Sequence, residues 1–181
     1  MKLSVTRHER GASKKVAWLG RRVIEKLERA ARAAGSGGGV ELIVVDDAFI
    51  RDLNRRYRGI DRATDVLSFS YADEEEDRAA AAGGRPAIAG GRPASAGKRR
   101  GPAGSRSVVA GEIYVSHETV ARDARAASVP AANLFLRVGV HGVLHILGHD
   151  HEKTADARRM EAEERRILLE QLTETEVEEL F

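Results

Sequence analysis

The apolar positions of this chain recur with two periods, one of strands and one of helices, in alternation. Residues 2–7 alternate enough to predict a short strand, with Leu3 and Val5 on one side. Val16, Leu19, Val23, Leu27 and Ala30 then fall at spacings of three and four. That spacing predicts a helix from a cap at Ser13 to about residue 34, where a Gly-Ser-Gly-Gly-Gly run ends it. Residues 40–45 read as an apolar strand broken only by Glu41, and Asp46-Asp47 opens a second helix through about Tyr57, with Phe49, Ile50 and Leu53 inward. Residues 65–71 and 112–115 are β-prone, and 117–127 suit a short helix. Pro130 fits the start of the next helix, whose Leu134, Phe135, Val138, Val140, Leu144 and Leu147 cover more than one face, so it should be central and buried. A last long helix, about 154–172, turns Met160, Ile167 and Leu168 inward. Beyond it, Thr173 and Glu176 form a T-x-x-E capping pattern in a segment short and acidic enough to fray.

This order predicts an α+β fold: one domain over residues 1–181, a small mixed sheet packed with helices. Strands separated by helices favour some parallel pairing, and the connection after residue 71 can join antiparallel neighbours. That connection has a different composition. An acidic run at 73–77 precedes residues 78–106, which hold seven Lys/Arg, no acidic residue, seven Gly and three of the four prolines. Such a stretch buries too little apolar surface to order itself, so 72–106 is expected to be a disordered insertion, either a spacer or a basic tether for RNA. Residues 173–181 form an acidic C-terminal tail.

With no Cys, a disulfide framework and thiolate metal sites are excluded, and any metal must take N and O ligands. No run approaches the roughly 18 apolar residues of a membrane span, and residues 1–6 lack the features of a secretion signal, so a cytoplasmic protein with no membrane partner is expected. Net charge is only +2, but residues 1–71 carry fifteen Lys/Arg against nine Asp/Glu, whereas 152–181 carry five against ten. The first half is the better candidate for a polyanion-facing surface.

His141, His145, His149 and His151 are four of the six histidines. A helix over 134–147 puts His141 and His145 on one face, one turn apart. Gly148 can take the left-handed conformation that ends it, turning His151 back toward the pair. A lone imidazole on an apolar helix is ordinarily a core residue, but this spacing predicts a metal site of His141, His145 and His151 with an open fourth position, as in catalytic zinc. His149 is expected to face solvent or substrate. Asp150 either orients a ligand imidazole or serves the turn. The H-E-x-x-H peptidase pattern is absent, since Gly142 stands where its Glu would be. Gly139 and Gly142 instead suggest close approach of another backbone or a bulky ligand.

The run from His141 to His151 closely resembles the H-G-x-L-H-L-x-G-Y-D-H signature of the YbeY family, rRNA maturation factors described as single-strand-specific endoribonucleases. Ile146 and His149 replace Leu and Tyr. Asn54-Arg-Arg-Tyr57-Arg58, followed by Thr64-Asp-Val-Leu-Ser68-Phe69, resembles the family's N-x-x-Y-R and T-D-V-L-S-F blocks, and Gly111-Glu-Ile-Tyr-Val-Ser116 resembles its G-D-I-x-I-S strand. The resemblance implies one zinc per chain on His141, His145 and His151. It also implies cleavage of single-stranded RNA in precursor rRNA, mainly at the 16S 3′ end, and partners in the small ribosomal subunit or its assembly factors.

Three neutral imidazoles leave zinc its full charge, which acidifies bound water but does not select phosphodiester over peptide. Arg58 is the candidate that selects, because a guanidinium pairs bidentately with phosphate; the family resemblance implies the same catalytic role. The competing reading of Arg58 is an ion pair with Asp61 or Asp65. Arg55 and Arg56 should serve the surface, Thr64, Ser68 and His149 are further polar contacts, and Asn54 should tie backbone together. Two other functions stay open at this point: a ribosome-assembly binding protein with structural zinc, and a zinc-dependent peptidase-like hydrolase.

Overall fold

The computed structural model describes residues 3–7, 16, 18–34, 39–71, 109–149 and 154–181, with 3–7 and 109–110 described by backbone alone. Ser13, the 72–106 insertion, Asp150 and His151 lie outside the described residues. Four strands, β1 (Leu3–Arg7), β2 (Gly39–Val45), β3 (Val66–Ser70) and β4 (Val109–Ser116), form one sheet in the order β1-β2-β4-β3. β1 and β4 both run parallel to β2, and β3 pairs antiparallel with β4. The sheet is therefore mixed, as the alternation of elements predicted, and the long connection joins neighbouring strands.

Six helices accompany the sheet among the described residues: α1 (Arg21–Ala33), α2 (Asp47–Arg58), α3 (His117–Ala127), α4 (Ala131–Ile146), α5 (Thr154–Leu169) and α6 (Glu174–Glu178). The two-residue strand period sorts them into layers. Val40, Leu42 and Val44 of β2 and Ile113 and Val115 of β4 face the large core, with Leu27 of α1, Phe135 and Leu144 of α4 and Ile167 of α5. Ile43, Val45, Leu67 and Tyr114 point the other way, onto Ile50 and Leu53 of α2. Glu112 shares that second face, buried, and accepts a hydrogen bond from the Tyr114 hydroxyl at 2.8 Å.

α4 is the central helix, and two glycines explain how it fits. A Cβ on Gly139 would lie 2.7 Å from Leu27 Cδ1 of α1, and one on Gly142 would lie 2.8 Å from Ile113 Cγ2 of β4. The close approach expected at these positions is thus made by buried apolar side chains, not by backbone or ligand. Gly142 also has no room for the glutamate of a peptidase motif. With α1 and β4 on two sides, the remaining face of α4 carries Leu134, Arg137, Val138, His141 and His145.

The helix ends correct two expectations. α1 begins at Arg21 behind Gly20 rather than at Ser13; Leu19 is buried just before it, in a turn closed by its N–H on the Val16 carbonyl. Residues 173–181, expected to fray, are folded onto the core. Thr173 and Glu176 complete the capping box, and Val177 and Leu180 are buried against the main core. The acidic residues dominate the composition of that segment, but the spacing of Val177 and Leu180 gives it an apolar face.

Candidate active site

α2 ends where its sequence says it should. Asp46 caps its start by accepting from Phe49 N–H at 2.8 Å, and Gly59, at φ 70°, takes the left-handed conformation that closes it. Asn54, buried on the last turn, donates to the Arg62 carbonyl at 2.8 Å and fastens the following loop, as expected of it. Tyr57 packs edge-on against Phe69 of β3, with ring centroids 5.1 Å apart. This anchors the C-terminal end of α2 over the β3 edge, and Arg58, exposed, reaches the cleft between β3 and α4.

Arg51 takes Asp61 bidentately, at 2.8 and 2.9 Å, and holds its carboxyl below the usual range. Asp65 accepts from Thr64 Oγ1 and Val66 N–H at 3.0 and 2.9 Å. Among the described residues neither carboxylate forms an ion pair with Arg58. Arg55 and Arg56 both pair with Asp52 on the helix surface.

The cleft encloses about 280 Å³ and is lined by Arg58, Thr64, Asp65, Val66 and Ser68 on one side and by the α4 stripe on the other. Ser68 shares the strand face of Val66, which packs toward α4. His141 Nε2 and His145 Nε2 converge to 3.0 Å. Two zinc–nitrogen bonds of about 2.0–2.1 Å at a tetrahedral angle would set that separation near 3.3 Å, so the pair fits a zinc ion after opening by a few tenths of an ångström. Gly148, at φ 86°, supplies the left-handed turn that follows the pair. His149 is exposed. No group of three His, Asp or Glu residues converges as a metal site among the described residues.

Two site residues were missed in the sequence. Glu164 of α5, 3% exposed, meets His141 Nδ1 at 2.6 Å. A carboxylate on the far nitrogen fixes the tautomer and aims Nε2 into the cleft, the usual support for a metal-bound imidazole. The signal was present: Met160, Glu164, Ile167 and Leu168 all lie on the buried stripe of α5, so a carboxylate occupies an apolar position. Arg137, one turn before His141 and 3.6 Å from Glu164 Oε2, was also passed over.

An imidazole pair, one ring braced from behind by a carboxylate, faces a guanidinium across one cleft, a set of groups suited to a metal-dependent hydrolase. The chain belongs to the family described as Endoribonuclease YbeY, whose profile matches residues 4–172. It is 38% identical over 147 residues to the Endoribonuclease YbeY of Halorhodospira halophila, covering 81% of this chain and 79% of that one. With the Endoribonuclease YbeY of Moorella thermoacetica it shares 35% over 156 residues, covering 83% and 87%. The solution structure of TM1509 from Thermotoga maritima matches with a TM-score of 0.53 at 25% identity, over 93% of this chain and 87% of that one. Membership makes the chain a metal-dependent endoribonuclease of rRNA processing, with zinc as the implied cofactor and RNA-related partners.

Proposed function

We propose that the chain cleaves single-stranded precursor rRNA, including the 16S 3′ end, in the cleft between β3 and α4, with one zinc held by His141, His145 and His151 and the scissile phosphate gripped by Arg58. The observation that supports this most directly is the shared cleft: Arg58 lines the same 280 Å³ space as His141 and His145. Bound zinc supplies Lewis acidity to a phosphoryl oxygen or an attacking hydroxyl. The protein's own groups do the rest. Glu164 holds His141 Nδ1 so that Nε2 is presented as a donor. Arg58 offers two parallel N–H groups to non-bridging phosphate oxygens and opposes the charge that develops on them. Thr64, just before β3, and Ser68 on it line the same wall of the cleft.

The test is a time course on one single-stranded precursor rRNA fragment with wild type, Arg58→Ala, Arg58→Lys, His145→Ala and metal-stripped protein. Arg58→Ala should keep its zinc and fold but lose about 30- to 1000-fold in rate, the equivalent of roughly 2–4 kcal/mol of transition-state stabilisation. Arg58→Lys should recover only part, since an ammonium lacks the fork. His145→Ala should lose zinc and cleavage together. Equal cleavage in all five samples would mean a contaminating nuclease and would remove the site.

A further inference from the structure

Arg137 sits on the cleft wall, one helical turn from His141, or about 6 Å along the axis. No part of the reaction proposed above employs it, yet its guanidinium is held on three sides. Nε faces Glu164 Oε2 at 3.6 Å, and Nη1 donates to the Leu180 carbonyl. The Phe181 ring lies 4.0 Å from its Cζ, and the same ring takes Arg165 at 4.0 Å. Two of these holders, Leu180 and Phe181, belong to the segment after residue 172, where the match to the family profile stops. That segment is itself tied to α4, where Asn133 donates to Glu176 at 3.1 Å.

A guanidinium has five N–H donors, and these contacts engage Nε and Nη1, leaving Nη2 without a contact among the described residues. The side chain keeps 33% of its surface exposed, whereas Glu164 keeps 5%. An arginine needed only to neutralise Glu164 would be served by a closer contact than 3.6 Å. This one is instead stacked and held at the mouth of a cleft whose substrate is a polyanion, which lowers the ordering cost when its Nη2 group meets an anion.

We infer that Arg137 is a positioning residue for the substrate, contacting the phosphate next to the one being cleaved, and that the Leu180–Phe181 clasp pre-sets its orientation. On an extended strand whose scissile phosphate lies at His141 and His145, the neighbouring phosphate passes one turn along α4. The inference rests on the cleft being the RNA site. It adds a register contact, one that fixes where along the strand cleavage falls.

The test maps the cleavage position in a defined single-stranded RNA, then replaces the linkage on either side, in turn, with a neutral methylphosphonate. Arg137→Ala and Arg137→Met should raise KM about 5- to 10-fold while leaving kcat and zinc content nearly unchanged, and Arg137→Lys should recover part of the loss. Binding followed by fluorescence anisotropy should lose about 0.7 from its slope against log salt, the share of one phosphate on a single strand. At one of the two neighbouring linkages the neutral replacement should weaken wild type by the same factor and leave Arg137→Ala unaffected. Phe181→Leu should move KM in the same direction by less. If the two losses multiply at both linkages, or if Arg137→Met lowers kcat and zinc content with KM unchanged, Arg137 is only the counter-ion of Glu164 and the inference falls. Failure of the zinc site would show separately, as cleavage that survives metal removal, while the anisotropy series still reads the Arg137 contact.

Discussion

Glu164 shows how much one carboxylate can decide. It is buried, it accepts from an imidazole, and its position on α5 makes His141 a directed donor instead of a rotating one. Glu164→Ala should weaken zinc binding about 10- to 100-fold, the usual cost of losing such support, and Glu164→Gln should weaken it less because the amide oxygen can still accept. Competition with a chromophoric chelator measures both; zinc affinity within twofold of wild type in Glu164→Ala would show that His141 needs no brace. The imidazoles themselves were legible in the sequence because i, i+4 spacing is a local property of a helix. Their support was not, because the partner is 23 residues away and hidden in a run of charged residues. Arg58 was singled out by its chemistry, but that Asp61 pairs with Arg51 instead became visible only in the fold.

At the scale of elements, α4 is defined as much by what it lacks as by what it carries. Gly139 and Gly142 let it lie against Leu27 and Ile113, and this leaves the histidine stripe as its only face toward the cleft. Gly142→Ala puts a methyl 2.8 Å from a fully buried Ile113. Overpacking of about 1–3 kcal/mol should outweigh the roughly 1 kcal/mol that alanine gains in helix propensity, so the net change should be a loss, read by urea denaturation. Gly142→Glu should cost more and fail to create a peptidase. An alanine variant as stable as wild type would show that β4 yields. Strand and helix identities were readable from periodicity, as α3 illustrates residue for residue. Ends were less so: α1 starts at Arg21 because Leu19 is recruited to the core by packing that no local pattern records. Val177 and Leu180 likewise dock a segment whose charge alone suggested fraying.

For the molecule as a whole, the mixed sheet followed from the alternation of strands and helices, but its order, β1-β2-β4-β3, is a matter of long-range pairing that a linear pattern does not encode. The same long-range closure ties α2 to α3. Asp47 accepts from Ser116 Oγ, from Thr119 Oγ1 at 2.6 Å and from Arg122 Nη1 at 3.1 Å, while its own N–H donates to Glu118 at 2.9 Å. Burial alone would raise the Asp47 carboxyl, but these hydrogen bonds and the Arg122 charge outweigh it and hold it below the ordinary value. A carboxylate lowered on folding contributes stability above its unfolded pKa, about 3.9, and loses it as pH falls through the folded value. Wild type should therefore exceed Asp47→Asn by about 1 kcal/mol near neutrality, with the gap closing below pH ~4 in denaturation curves. A gap constant with pH would mean that the charge contributes nothing.

That knot lies at the opposite end of α2 from Arg58, and α2 is a stiff rod of 12 residues, about 18 Å long. Tyr57 on Phe69 holds the arginine end and Asp47 the other, and both are needed to fix the axis: a tilt of about 5° about one anchor would move the far end by ~1.6 Å, more than phosphate alignment tolerates. The carboxylate of Asp47 thus shares with Tyr57 in aiming a guanidinium it never meets, and if Arg58 grips phosphate as proposed, loosening that carboxylate should blunt cleavage before it unfolds anything.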